Sequence, residues 1–209
     1  MGLDELDSVS LKHQIGRRIH VVGNSCSGKS VLGKQLATAL EVPFVEFPLA
    51  QRPKEIFAVA KMIIFDYGRT LYDRETDDFF PDAIPIVRTL AEKYRLSIVS
   101  VSSADEEETR IEALREKGIL DHFEEIVFTE NGDAKSKEYE ALLRKVDLKA
   151  NEVVVVDDYI IRGIAWGNAA GATTVWFRNG KFADLDPTDE TGDPDFTIHS
   201  LSELLKILD

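Results

Sequence analysis

Short, largely apolar runs alternate with longer stretches of helical periodicity along most of the chain. Met62-Ile63-Ile64-Phe65, Leu96 to Val101, Glu125 to Phe128, Glu152 to Val156 and Thr173 to Phe177 read as strands, and segments 83–94, 105–117, 136–146, 161–169 and 201–208 read as helices. A strand without polar alternation is buried on both faces, and strands separated by helices pair through crossovers. The pattern therefore predicts an α/β fold, a doubly wound, Rossmann-like parallel sheet, with ligands beyond the carboxyl ends of its strands.

Upstream the pattern changes. Residues 3–15 read as a leading helix; Arg18 to Gly23 is a β-branched run, Lys29 to Leu40 is helical in period, and Phe44 to Phe47 is a second strand, giving one βαβ unit. Pro48 and Pro53 punctuate the link that follows. An organisational boundary is expected between 48 and 60, dividing an N-terminal segment 1–52 from a core 53–209.

Charge follows the same division. Net charge is −13 over 209 residues. Seven Lys/Arg and six Asp/Glu precede residue 61, so the acidity belongs to the second part. An acidic surface repels phosphate backbones, and no nucleic-acid partner is expected. No apolar run approaches the length of a membrane span, and the start Met1-Gly2-Leu3-Asp4-Glu5 lacks a secretory pattern, so a cytoplasmic location and no membrane association are expected. The single cysteine, Cys26, agrees with a reducing compartment. His13, His20, His122 and His199 form no ligand spacing; Trp166 and Trp176 read as core, Asp184 to Asp195 as a solvated acidic loop, and Arg69 and Arg162, which flank the carboxylate turns and could meet a phosphate there, read first as solvated surface.

Several strands end in chemically capable residues. The Ile64-Phe65 run delivers Asp66 into the turn Tyr67-Gly68-Arg69-Thr70, the next strand ends in Ser100, Val101, Ser102 and Ser103, Lys135 opens a helix, and Val153 to Val156 end in Asp157 and Asp158. Since each follows a strand or opens a helix, all can converge on one sheet edge. Together they supply carboxylates for a hard cation such as Mg²⁺, hydroxyls, and a lysine for anionic oxygens. Taken singly, a strand-terminal Asp or Ser is as readily a turn or helix cap.

In this order and spacing the residues resemble the haloacid dehalogenase superfamily over residues 61–209, including Gly180-Lys181-Phe182-Ala183 and Phe196 to Leu201. The resemblance implies a phosphohydrolase acting through an aspartyl-phosphate on a phosphorylated substrate. Asp66 would be nucleophile and Mg²⁺ ligand, and Ser100 or Ser102 would hold phosphoryl oxygens that Lys135 neutralises. Asp158, beside Asp157, would hold the metal with the backbone carbonyl of Gly68. Two departures stand out. Gly68 occupies the position of the acid that protonates the leaving group and activates water, general acid/base help typically worth about 10²- to 10⁴-fold. Gly163 stands where a further acid commonly supports the metal site. Neither the segment after Asp66 nor that from Val127 to Lys135 has room for a cap domain.

The N-terminal segment carries a second motif. Gly23-Asn24-Ser25-Cys26-Ser27-Gly28-Lys29-Ser30 fits G-x-x-x-x-G-K-[ST], after an expected strand and opening an expected helix. In such a loop the backbone around Gly23, Ser25 and Gly28 cradles phosphate, Lys29 reaches the terminal phosphates and Ser30 ligates Mg²⁺. Residues 18–46 are similar to the opening of P-loop nucleotide kinases of the adenylate kinase type, which implies ATP or another nucleotide as ligand, but the likeness stops near residue 47. The leading expectation is thus a Mg²⁺-dependent phosphohydrolase slowed by Gly68. Beside it stand a non-catalytic phosphate- or nucleotide-binding protein using the Gly23–Ser30 loop, and a nucleotide kinase or NTPase.

Overall fold

A computed structural model describes residues 60–208. The readings made for residues 1–59, including the βαβ unit and the Gly23, Ser25, Gly28, Lys29 and Ser30 loop, lie outside the described residues. Strand β1 (Met62–Phe65) is followed by a small antiparallel hairpin of β2 (Tyr72–Asp73) and β3 (Asp78–Phe79). Then come α1 (Ala83–Ala91), β4 (Arg95–Val101), α2 (Ala104–Glu116), β5 (Phe123–Thr129) and α3 (Lys135–Val146). Strand β6 (Val153–Asp157), α4 (Ala165–Ala170), β7 (Thr173–Phe177), β8 (Phe196–Ile198) and α5 (Leu204–Leu208) complete the order.

Six strands form one sheet in the order β5-β4-β1-β6-β7-β8, every pairing parallel. Successive residues of a strand point to opposite faces. Ile63 and Phe65 of β1 and Val154 and Val156 of β6 therefore join α1, α5 and Leu114 of α2 in one core. Met62, Ile64, Val153 and Val155 pack on the other face against α3 and Trp166 of α4. This double coverage is why the strands read as unbroken apolar runs. The chain runs outward from β1 to β5, then returns to β6 on the other side of β1. That reversal opens a crevice at the carboxyl ends of β1 and β6, where α/β sheets of this kind bind ligands.

The described elements follow the expected ones with four differences. The β2–β3 hairpin was not expected; it is held by the stacked rings of Tyr67 and Tyr72, with Phe79 edge-on to both. Strand β8 was not expected either. The helix expected over 161–169 begins as a wider π turn, Ile160–Ile164, before tightening into α4. The expected solvated acidic loop is not solvated throughout: Thr191 and Asp195 are buried, and the Asp195 carboxylate accepts from the backbone N–H of Thr174 at 3.0 Å. Trp166 and Trp176 are both buried. Among the described residues no cap domain interrupts the core, and no helix is long and apolar enough to cross a membrane.

Candidate active site

Asp66 is the first residue beyond β1, and its backbone N–H donates to the Val156 carbonyl of the neighbouring strand at 2.9 Å. The turn after it is tight, because the Tyr67 carbonyl accepts from both Leu71 and Tyr72 N–H at 2.9 Å. Arg69 sits in that turn with φ 63°, a left-handed conformation uncommon outside glycine. Thr70 ties the two loops together, its hydroxyl accepting from the backbone N–H of Asp158 at 3.2 Å. On the other side of Asp158, the Trp176 indole N–H donates to its backbone carbonyl at 2.9 Å. Trp176 therefore fixes a site loop as well as filling the core.

Lys135, the first residue of α3, is 2% exposed. Its Nζ donates to Asp66 Oδ1 at 2.6 Å and to Asp157 Oδ2 at 2.7 Å. Burial works to lower the Lys135 pKa, but the Asp157 and Asp66 carboxylates outweigh it and hold the ammonium well above the usual lysine value. Charge-assisted hydrogen bonds of this length are the strong class.

The two adjacent acids at the end of β6 are treated differently. Asp157, 1% exposed, has both oxygens engaged, Oδ2 by Lys135 and Oδ1 by the backbone N–H of Tyr159 at 2.8 Å. Asp158, 3% exposed, keeps a buried Oδ2 with no hydrogen-bond partner among the described residues. Burial, reinforced by the charges of Asp157 and Asp66, pushes its carboxyl up to about 9. An orphaned buried carboxylate oxygen is costly unless something else satisfies it. Asp66, Asp157 and Asp158 each offer an oxygen, and these lie within 4.8 Å of one another. The donor set is all oxygen and buried, which fits a hard divalent cation such as Mg²⁺.

Gly163, read from sequence as a lost acid, has a use. A Cβ there would stand 2.2 Å from Asp157 Oδ2 and 2.8 Å from the Tyr139 hydroxyl. Asp157 thus fills the space that a side chain at 163 would need, and its carboxylate meets Lys135 from there. Gly68 is more open, with Arg74 Nε 3.4 Å from where its Cβ would be.

Asp66, Gly68, Ser100, Lys135, Asp157 and Asp158 all line one cavity. Ser100 is held there by Arg110, whose Nη1 donates to its Oγ at 3.4 Å. Ser102 is buried but does not line the cavity; its hydroxyl turns to the Ser103 carbonyl at 3.1 Å. Arg69 and Arg162, expected as solvated surface, are half-buried at the cavity mouth with Arg74, Tyr159 and Phe182. Phe182 lies in the Gly180–Ala183 stretch that carries the resemblance, but nothing in the sequence sets it or Tyr159 beside these arginines.

Residues 28–171 match the family of haloacid dehalogenase-like hydrolases. The chain belongs to that family. Among curated relatives of this haloacid dehalogenase-like protein, the glyceraldehyde 3-phosphate phosphatase of Methanopyrus kandleri is 31% identical over 133 residues, covering 62% of this chain and 56% of the relative. The enzyme of the same name from Pyrococcus furiosus is 29% identical over 92 residues, covering 43% and 38%. The chain thus spans little more than half the length of the first and less of the second. Among solved structures, the HAD phosphatase of Thermococcus onnurineus superposes with a TM-score of 0.50 at 27% identity, over 62% of this chain and 58% of that one. The HAD-hydrolase YfnB of Bacillus subtilis, solved with magnesium, superposes at 0.59 over 72% of this chain and 99% of its own; at 15% identity that likeness speaks to fold alone.

Proposed function

We propose that this haloacid dehalogenase-like protein is a Mg²⁺-dependent phosphohydrolase that uses Asp66 as nucleophile. The observation that carries the reading is the contrast around Lys135: Asp66 is pinned by its ammonium, while the oxygen of Asp158 beside them is buried and unsatisfied. Asp66, Asp158 and the Gly68 carbonyl would hold the metal. Asp157 lies close enough to contribute, but both of its oxygens already have partners. A bound Mg²⁺ would supply charge neutralisation at the phosphoryl oxygens.

The chain's own residues then account for the chemistry. An oxygen of Asp66 attacks phosphorus as the ester P–O bond breaks and the leaving alkoxide takes a proton from water. Water next attacks the aspartyl-phosphate, inorganic phosphate leaves, and the Asp66 carboxylate is restored. Lys135 and the Ser100 hydroxyl hold the transferred oxygens in this scheme. Gly68 provides no proton donor, so both steps depend on solvent for protons, and turnover is slow by about the 10²- to 10⁴-fold that positioned acid/base catalysis supplies. The names of the curated relatives make a triose phosphate the first physiological substrate to try.

The test is phosphate release from an aryl phosphate, with and without Mg²⁺, in the wild type and in Asp66→Asn. Metal-dependent release that disappears in the variant is expected. Release that survives in the variant, or none from the wild type, refutes the mechanism. A second reading, phosphate binding without turnover, is favoured by Gly68 alone, and the same experiment separates the two.

A further inference from the structure

We infer that Arg69 and Arg162 form a second anion subsite at the cavity mouth, which selects phosphate monoesters carrying a further acidic group a few atoms from the phosphoryl. The inference rests on assigning the cavity floor to the phosphoryl group, and it sets this chain's preference apart from the substrate in the relatives' names, which carries no second acidic group.

Three observations carry it. First, both guanidiniums are seated. Tyr159 and Phe182 stack at 4.2 Å, with the Arg69 guanidinium 5.5 Å from the Phe182 ring centre and that of Arg162 5.1 Å from the Tyr159 ring. Arg162 also lies across Gly132, where a Cβ would come within 2.4 Å of it. Second, neither guanidinium has a hydrogen bond or ion pair among the described residues, although both are half-buried and line the cavity and the charge of Arg69 is felt by Asp158. Arg74 differs, being exposed and 3.4 Å from Glu106. A guanidinium carries five donors in a planar fork that suits a carboxylate or phosphate. Third, Arg69 keeps φ 63° at the mouth, and backbone strain of this kind persists where it serves a site.

The free donors set the ligand class. Lys135, the Ser100 hydroxyl and a bound divalent cation would hold the phosphoryl on the floor, which leaves the guanidinium forks of Arg69 and Arg162 to a second anion on the same substrate, either a carboxylate or another phosphate.

Direct binding tests this without requiring turnover. With Mg²⁺ present, the wild-type chain is titrated calorimetrically with propylphosphonate, 3-phosphonopropionate and propane-1,3-bisphosphonate, and the titrations are repeated with Arg69→Gly, which relaxes the positive φ, and with Arg162→Gln. The wild type is expected to bind one or both doubly anionic ligands about tenfold more tightly than propylphosphonate, the low end of what charged hydrogen bonds contribute. Which of the two is favoured tells carboxylate from phosphate as the second group. In each variant that ratio should fall toward one while propylphosphonate affinity falls far less. Equal wild-type affinities, or an equal loss for all ligands in the variants, overturn the subsite and leave the floor assignment standing. No binding of any ligand overturns the floor assignment and the subsite with it.

Discussion

The cavity has a floor and a rim built on opposite principles. On the floor, Asp66, Lys135, Asp157 and Asp158 are nearly without solvent contact, with Lys135 bonded to two of the carboxylates and all three carboxylates close together. On the rim, Arg69, Arg74 and Arg162 hold single charges near water, steadied by aromatic rings or by an exposed carboxylate. The field between charges is weakly screened on the floor and strongly screened on the rim. Changing one floor charge should therefore disturb the whole cluster, whereas a rim change should stay local except at Arg69, whose charge reaches Asp158.

The sharpest test of that contrast is Asp66→Asn. It removes the proposed nucleophile and one of the two anions on Lys135, and a phosphate-release rate lowered by about 10⁴-fold or more is expected. Any residual activity near wild type would mean that the floor is not where the chemistry happens. Gly68→Asp works in the other direction. The position is open enough for a side chain, and a gain of about 10²-fold in phosphate release is expected if the missing acid limits turnover. An unchanged rate would count against the mechanism.

Adjacent acids on the floor should part company on removal. Asp157→Ala strips Lys135 of an engaged partner and leaves a buried ammonium short of one anion. A stability loss of about 3–5 kcal/mol is expected, read by urea denaturation. Asp158→Asn should do the reverse in metal-free protein, because the folded chain no longer carries an acid that burial and like charges oppose. The sign follows from its raised pKa. An ordinary aspartate releases its proton near 3.8, whereas folded Asp158 keeps it to about 9. Between those values the unfolded chain binds fewer protons, so metal-free stability should fall as pH rises and level off above the window. Melting temperatures in EDTA at pH 5 and pH 8 check this; in Asp158→Asn that contribution to the slope should vanish together with stabilisation by Mg²⁺.

How legible each region was in the sequence tracks the same divide. Strands β1 and β7 can be read to the residue, because a run such as Met62–Phe65, buried on both faces, leaves an unbroken apolar signature. The convergence of Asp66, Ser100, Lys135 and Asp158 follows, since all stand at the carboxyl edge of one parallel sheet. The split between Asp157 and Asp158 does not, because adjacent acids look alike until the backbone turns one toward Lys135. Gly163 is similar: its importance lies in the space it leaves for Asp157, and a sequence shows residues rather than space. The two-residue strands β2 and β3 are too short for any alternation, and β8 has only three residues. On the rim, Arg69 and Phe182 are far apart in sequence, and neither belongs to a motif that names the other.

The smallest effect is expected at Arg74, and it sharpens the contrast through a pair of changes. Its guanidinium is exposed and shares Glu106 with Arg110, so Arg74→Ala alone should alter aryl phosphate hydrolysis by no more than about twofold. The same side chain lies 3.4 Å from where a Cβ at 68 would stand. In Gly68→Asp it becomes the nearest cation to the new carboxyl group, lowering its pKa and weakening it as a proton donor. Adding Arg74→Ala to Gly68→Asp should then raise the rate further and move the alkaline limb of its pH profile upward. Additive changes with an unmoved profile would mean that solvent screens the rim from position 68, and that floor and rim are electrostatically independent.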